Sequence, residues 1–101
     1  TLEIMSGLAL TLWDLGDLAG ARQLEEQALE TSTRALGPEH LDTLRCMDNL
    51  ALTLAFLGDL DGARRLLEQG LETRTRVLGP EHPDTLWTKD LLNAVLAAAA
   101  E

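Results

Sequence analysis

Residues 36–44 read LGPEHLDTL and residues 78–86 read LGPEHPDTL. The same nine-residue string returns after 42 positions with one change, Leu41 to Pro83. Laying residues 1–42 over 43–84 leaves thirteen positions that differ and 29 that are identical. Residues 85–101 open a third copy, in which Thr85-Leu86 and Leu92 match Thr43-Leu44 and Leu50. A period of this length belongs to chains whose units cannot bury an apolar face alone and do so by stacking. One domain over 1–101 is expected, made of repeat 1 (1–42), repeat 2 (43–84) and a partial repeat or terminal helix (85–101).

Each copy carries two helical patterns. Leu44, Met47, Leu50, Ala51, Leu54 and Leu57 recur at steps of three and four, the spacing of an amphipathic helix. Gly58-Asp59 interrupts it. Leu60, Ala63, Leu66, Leu67, Gly70, Leu71, Val77 and Leu78 form a second stripe on a longer helix. Small residues seven apart, Ala21 with Ala28 and Ala63 with Gly70, allow a neighbouring helix to come close. In the joint, Gly79 is expected as a left-handed C-cap with Pro80 beyond it. Pro83 suits a first helical turn, and His82 or Asp84 would cap it. The pattern predicts an all-α, right-handed α-solenoid of about two and a half helix-turn-helix repeats. Its five helices are expected at 1–15, 18–36, 41–57, 60–78 and 83–100.

The spacing Met5-x2-Leu8-Ala9-x2-Leu12, then Gly16-Asp17-Leu18 and Ala21, resembles the tetratricopeptide repeat. Met47, Leu50, Ala51, Leu54, Gly58, Asp59, Leu60 and Ala63 repeat it. The 42-residue period, with LGPEHPDTL and DNLALTL, resembles the kinesin-light-chain type of that family, whose repeats also occur in multidomain bacterial signalling proteins. The chain departs from the pattern in places. Glu25 stands where the second copy has Leu67, and is expected to be exposed or to lack a neighbour. Asn93 replaces a small residue, and Ala97 to Ala100 replace the residues before the turn, so the last helix can run on.

Comparing the copies separates the faces of the first helix. At about 100° per residue, variable positions 3, 6, 7, 13 and 14 share one arc and most invariant ones fill the opposite side, with position 4 (Ile4 against Cys46) the exception among the changes. Leu10 and Leu52 are an unchanged pair inside the variable arc. The invariant side must pack, because it meets a similar neighbour in every copy. The family resemblance implies that the first helix of each repeat lines a concave groove that holds peptides. The candidate groove residues are Glu3, Ser6, Trp13, Asp14, Arg45, Asp48, Asn49, Phe56, Trp87 and Asp90. Surface positions also drift because they tolerate change. Drift accounts poorly for Trp13, Phe56 and Trp87, every aromatic in the chain, gathering there, since binding hot spots favour such residues. Asn49 matches an Asn that related repeats use to hold a peptide backbone.

A protein or peptide ligand is therefore expected. Four carboxylates, Glu3, Asp14, Asp48 and Asp90, outnumber Arg45 along the stripe, which favours a basic partner with an apolar anchor. The acidic tryptophan motifs preferred by kinesin light chains do not fit such a surface. An assembly or regulatory segment of a larger signalling protein is the alternative. It would self-associate through Leu86, Leu92, Val95 and Leu96, with no following helix to cover them.

A net charge of −9 argues against a nucleic-acid or anionic-membrane partner. The chain begins at Thr1 without a signal-peptide pattern and reads as an excerpt. A single cysteine, Cys46, suggests an intracellular, cytoplasmic setting and is expected as a small buried hydrophobe. Arg64, Arg65, Arg74 and Arg76 interleave with Glu68 and Glu72 and are expected on a solvated face. His40 and His82, one repeat apart, are too separated to share a metal. No cofactor, phosphate-loop or nucleophile motif is present, and no enzymatic activity is expected.

Overall fold

The LGPEHxDTL joint turns out to be a stop, a cap and a start in succession. In the computed structural model, which describes residues 2–100 with side chains from Leu8 onward, the second helix of each repeat ends at Leu36 or Leu78. The glycine after it, Gly37 or Gly79, has φ of 96° or 97° with ψ of 160° or 156°. This is an extended conformation at positive φ rather than the expected left-handed helical cap, and it is accessible essentially to glycine alone. A few residues on, the His40 and His82 imidazoles cap the next helix, each Nδ1 accepting from the backbone N–H of Asp42 or Asp84 at 3.1 Å. Thr43 then donates back to the Gly37 carbonyl at 2.8 Å, tying helix start to helix stop.

The described residues form five helices: α1 (Leu2–Asp14), α2 (Leu18–Leu36), α3 (Leu41–Phe56), α4 (Leu60–Leu78) and α5 (Pro83–Ala99). The expected bounds hold to within a residue at each end. The tight turns before α2 and α4 are set by Asp17 and Asp59, whose carboxylates accept from the N–H of Gly20 and Gly62 at 2.9 Å. A Cβ on Gly62 would lie 2.6 Å from Asp59 Oδ2, so a side chain there would have to displace the capping carboxylate.

Extensive packing joins only consecutive helices, α1 to α2 through α4 to α5. The result is the quasi-one-dimensional stack of a solenoid. First helices α1, α3 and α5 form one layer and α2 and α4 the other, matching the 18 Å shortest extent. Ala51, Ala63, Leu67, Leu92 and Val95 form the core of the second junction. Ala21, Ala28 and Ala63 are buried, and Gly70 with them, as close helix approach demands. Cys46 is buried and unpaired with any cysteine.

Two placements correct the sequence reading of α5. Leu92 and Val95 are buried against α4 and α3 and cannot serve as an exposed association face. Leu86 and Leu96 are exposed, but the stripe between them carries Lys89 and Asn93. The equivalent stripe of α3 is Leu44, Met47, Ala51 and Leu54, and its first three members are buried. A helix laid on α5 as neighbours lie on α3 would have to bury a lysine and an asparagine.

Candidate functional site

The layer of first helices presents three cavities, each of about 230 Å³, that meet on α3. The first lies between α1, α2 and α3 and is walled by Leu10, Trp13, Asp14, Glu25, Asn49 and Leu52. The second lies among α3, α4 and α5, with Arg45, Asp48, Asn49, Arg74, Asp84 and Trp87. The third runs between α3 and α5 under Phe56 and is apolar throughout, from Leu52 to Leu91 and Ala98. Asn49 belongs to the first two, and Leu52 to the first and third. Each aromatic of the chain stands in a different one.

Trp13 is held rather than free. Its indole Nε1 donates to Thr53 Oγ1 at 2.7 Å, across 40 residues of sequence. Its ring meets Phe56 edge to face, with centroids 4.8 Å apart and planes at 83°. Such pairs add about 0.5–1.5 kcal/mol beyond their burial. Phe56 is nonetheless 66% exposed and Trp87 49% exposed, apolar area that folding leaves uncovered.

Thr53 passes the hydrogen bond on by donating to Glu25 Oε1. Glu25 is only 8% exposed, which corrects the expectation that it would be open to solvent. Burial pushes its carboxyl above the ordinary glutamate value, with the Thr53 hydroxyl pulling the other way. Nothing in the pattern of one helix signals this role. The cue was the departure from Leu67 at the same place in the next repeat.

Asp48 lies beneath the groove surface, not on it. Its Oδ2 accepts from Arg74 Nη1 at 2.7 Å and from the Thr88 hydroxyl at 3.2 Å, while Arg74 also donates to Thr88 at 2.7 Å. Burial raises the Asp48 carboxyl from its ordinary value against the opposing pull of Arg74. Arg74 is 3% exposed, so it departs from the solvated row that Arg64 and Arg65 do form with Asp61 and Glu68. Asp48 is thus engaged inside the junction, and the open polar groups of this face are Asp14, Arg45, Asn49 and Asp90. Glu3 and Ser6 fall outside the described side chains.

The two junctions turn out to exchange chemistry. Glu25, Thr53 and Trp13 of the first occupy the repeat positions of Leu67, Val95 and Ala55 in the second. Ser32 and Cys46 of the first occupy those of Arg74 and Thr88, with Ser6 matching Asp48 in sequence. Where one junction is apolar, the other is polar. Much of the difference between copies therefore lies in compensated packing, and the exposed changes are Phe56 and Trp87 above all.

Among the described residues, no group of three or more His, Cys, Asp or Glu is placed to hold a metal, and no helix is long and apolar enough to cross a membrane.

The tetratricopeptide repeat family profile matches residues 1–76 and 49–100. A putative kinesin light chain from Podosopora anserina, with nearly identical TPR-like repeats, superposes with a TM-score of 0.90 at 27% identity. The match covers 98% of this chain and 47% of that one, and a single-substitution form of the same protein gives the same values. BtubC (BKLC) from P. vanneervenii shares the fold, with a TM-score of 0.88 at 22% identity over 97% of this chain and 39% of that one. The chain thus spans less than half the length of these structures. No curated protein matches it in sequence.

Proposed function

The chain belongs to the tetratricopeptide-repeat family, whose members are generally protein-interaction modules, and from that premise we propose that it binds a peptide segment along the layer of α1, α3 and α5. One observation carries the reading. Three cavities share walls on α3, and each contains one of the chain's three aromatics, two of them about half exposed or more. Linked pockets with aromatic anchors suit alternate side chains of an extended segment. Asn49, which lines two of the cavities, would pair with the ligand backbone. Asp14, Arg45 and Asp90 line the approach and set charge preference.

Selection of a random phage-displayed peptide library on the immobilised protein tests the reading. Selected peptides lose about tenfold or more in affinity for Phe56→Ala and Trp87→Ala, with helical circular dichroism unchanged. Retained affinity in both variants would move the site elsewhere.

The assembly alternative rests on exposed Leu86 and Leu96. Lys89 and Asn93 between them make it the weaker reading. A mass that stays at 11.0 kDa across concentration would remove it.

A further inference from the structure

We infer that the cavity between α1, α2 and α3 is a subsite for one basic side chain, lysine or arginine, of a bound peptide. The inference rests on the groove reading above and names what its first pocket takes. The described walls carry two carboxylates, Asp14 at the mouth and Glu25 within, and no cation. The rest of the wall is largely apolar: Ala9, Leu10, Ala28 and Leu52. A ligand group that fits must offer a methylene stem to those walls and a positive charge to the carboxylates, which is the build of a basic side chain.

Glu25 is a costly residue to keep there. The second repeat fills the same position with Leu67, 1% exposed, so the fold does not need a carboxylate at this point. The Thr53 hydroxyl engages Glu25 through one carboxylate oxygen, Oε1, and Glu25 itself lines the cavity. A buried carboxylate so placed is stabilised by an incoming ammonium or guanidinium through a charge-assisted hydrogen bond. Trp13 adds to the selectivity. Its N–H is committed to Thr53, which fixes the indole in the cavity wall and leaves its ring to attract a cation.

The second cavity does not share this chemistry. Arg45 and Arg74 stand beside Asp48 and Asp84 there, so its charges are already matched. The third contains no charged residue among its described walls. Of the three, the first alone has an unmatched negative interior among its described walls.

The test uses peptides selected on the intact chain whose binding depends on Phe56 and Trp87. Their affinities are measured by calorimetry for the wild type, Glu25→Leu and Glu25→Gln, with one lysine or arginine at a time replaced by norleucine. The expected result is a basic residue common to the selected peptides. Its replacement, or Glu25→Leu, lowers affinity about tenfold or more, and the two changes together cost no more than one alone. Glu25→Leu carries the side chain of the matching repeat position, and Glu25→Gln keeps the shape and the Thr53 bond, so a loss shared by both reports charge rather than misfolding. Peptides without a basic residue, or affinity within about twofold in both variants, would overturn the subsite while leaving the groove standing. Failure to select any peptide dependent on Phe56 and Trp87 would overturn the groove and the subsite together.

Discussion

Arg74 of α4 and Asp48 of α3 meet at 2.7 Å inside the second junction, their side chains 3% and 4% exposed. The first repeat holds Ser32 at the Arg74 position, where its hydroxyl pairs with Thr43 at 2.6 Å. Arg74 makes no such bond, and Thr85, the counterpart of Thr43, has a buried hydroxyl without a partner. Arg74 Nε and Asp48 Oδ1 are buried and unpartnered as well. The ion pair thus replaces a smaller polar solution at some cost in satisfied groups.

Breaking that pair from one side is expected to be severe. Asp48→Ala leaves Arg74 buried without its carboxylate and should cost about 3–5 kcal/mol in chemical denaturation. Transplanting the first junction's residues, as Asp48→Ser, Gly70→Ala, Arg74→Ser and Thr88→Cys together, should be less destabilising than Asp48→Ala, because no buried charge is left without its partner, while the volume lost at position 74 keeps the variant below the parent. In that variant the serine at position 74 can also satisfy Thr85. A fourfold variant as unstable as Asp48→Ala would show that the junctions are not interchangeable.

Two glycines of α4 should answer alanine differently. At Gly70 a Cβ would sit 3.8 Å from its nearest neighbours, Arg74 Nη1 and Asp48 Oδ1, an ordinary contact. Gly70→Ala should therefore stabilise by about 0.5–1 kcal/mol through helix propensity. At Gly62 the methyl displaces the Asp59 carboxylate and forfeits a cap of about 1 kcal/mol. Thermal melts of the two variants check this. An equal gain at both sites would mean that Asp59 does not cap α4.

The Glu25 carboxyl gives stability a defined pH dependence. Its folded pKa is raised, so the folded state holds the proton more tightly than the unfolded chain does. The stability from this group is present below the ordinary glutamate value and lost as pH rises through the folded value. Glu25→Gln, neutral at every pH, should be more stable than the parent at neutral pH. The gap should close as pH falls below the ordinary range. Denaturation curves at several pH values measure it, and a gap that widens toward acid would place Glu25 in the opposite regime.

The helices were legible in the sequence because their ends are local chemistry. Asp59 beside its helix, Gly79 at a positive φ and Pro83 in the first turn of α5 each act within a few residues. That Trp13, Phe56 and Trp87 share the first-helix layer was legible because two copies could be compared on one wheel. What could not be read was pairing across helices. Asp48 and Arg74 are 26 residues apart, and each alone looks like a solvated charge on an amphipathic helix. Glu25 and Thr53 are 28 apart. Two copies show that positions 6, 28 and 32 all change, but a single pair of copies gives coupled and independent changes the same appearance. The exposed leucines of α5 were overcounted for a similar reason. Leu92 and Val95 point toward α4 and α3, which one-dimensional spacing does not distinguish from the outer stripe.

Nuclear magnetic resonance mapping of a selected peptide on the labelled protein will show whether ligands lie along α1, α3 and α5. The largest shifts are expected at the indole N–H of Trp87, the side-chain amide of Asn49 and the backbone around Leu52, with the α4 row of Arg64, Glu68 and Glu72 unmoved. Shifts concentrated on that α4 row, with Asn49 and Trp87 silent, would contradict it.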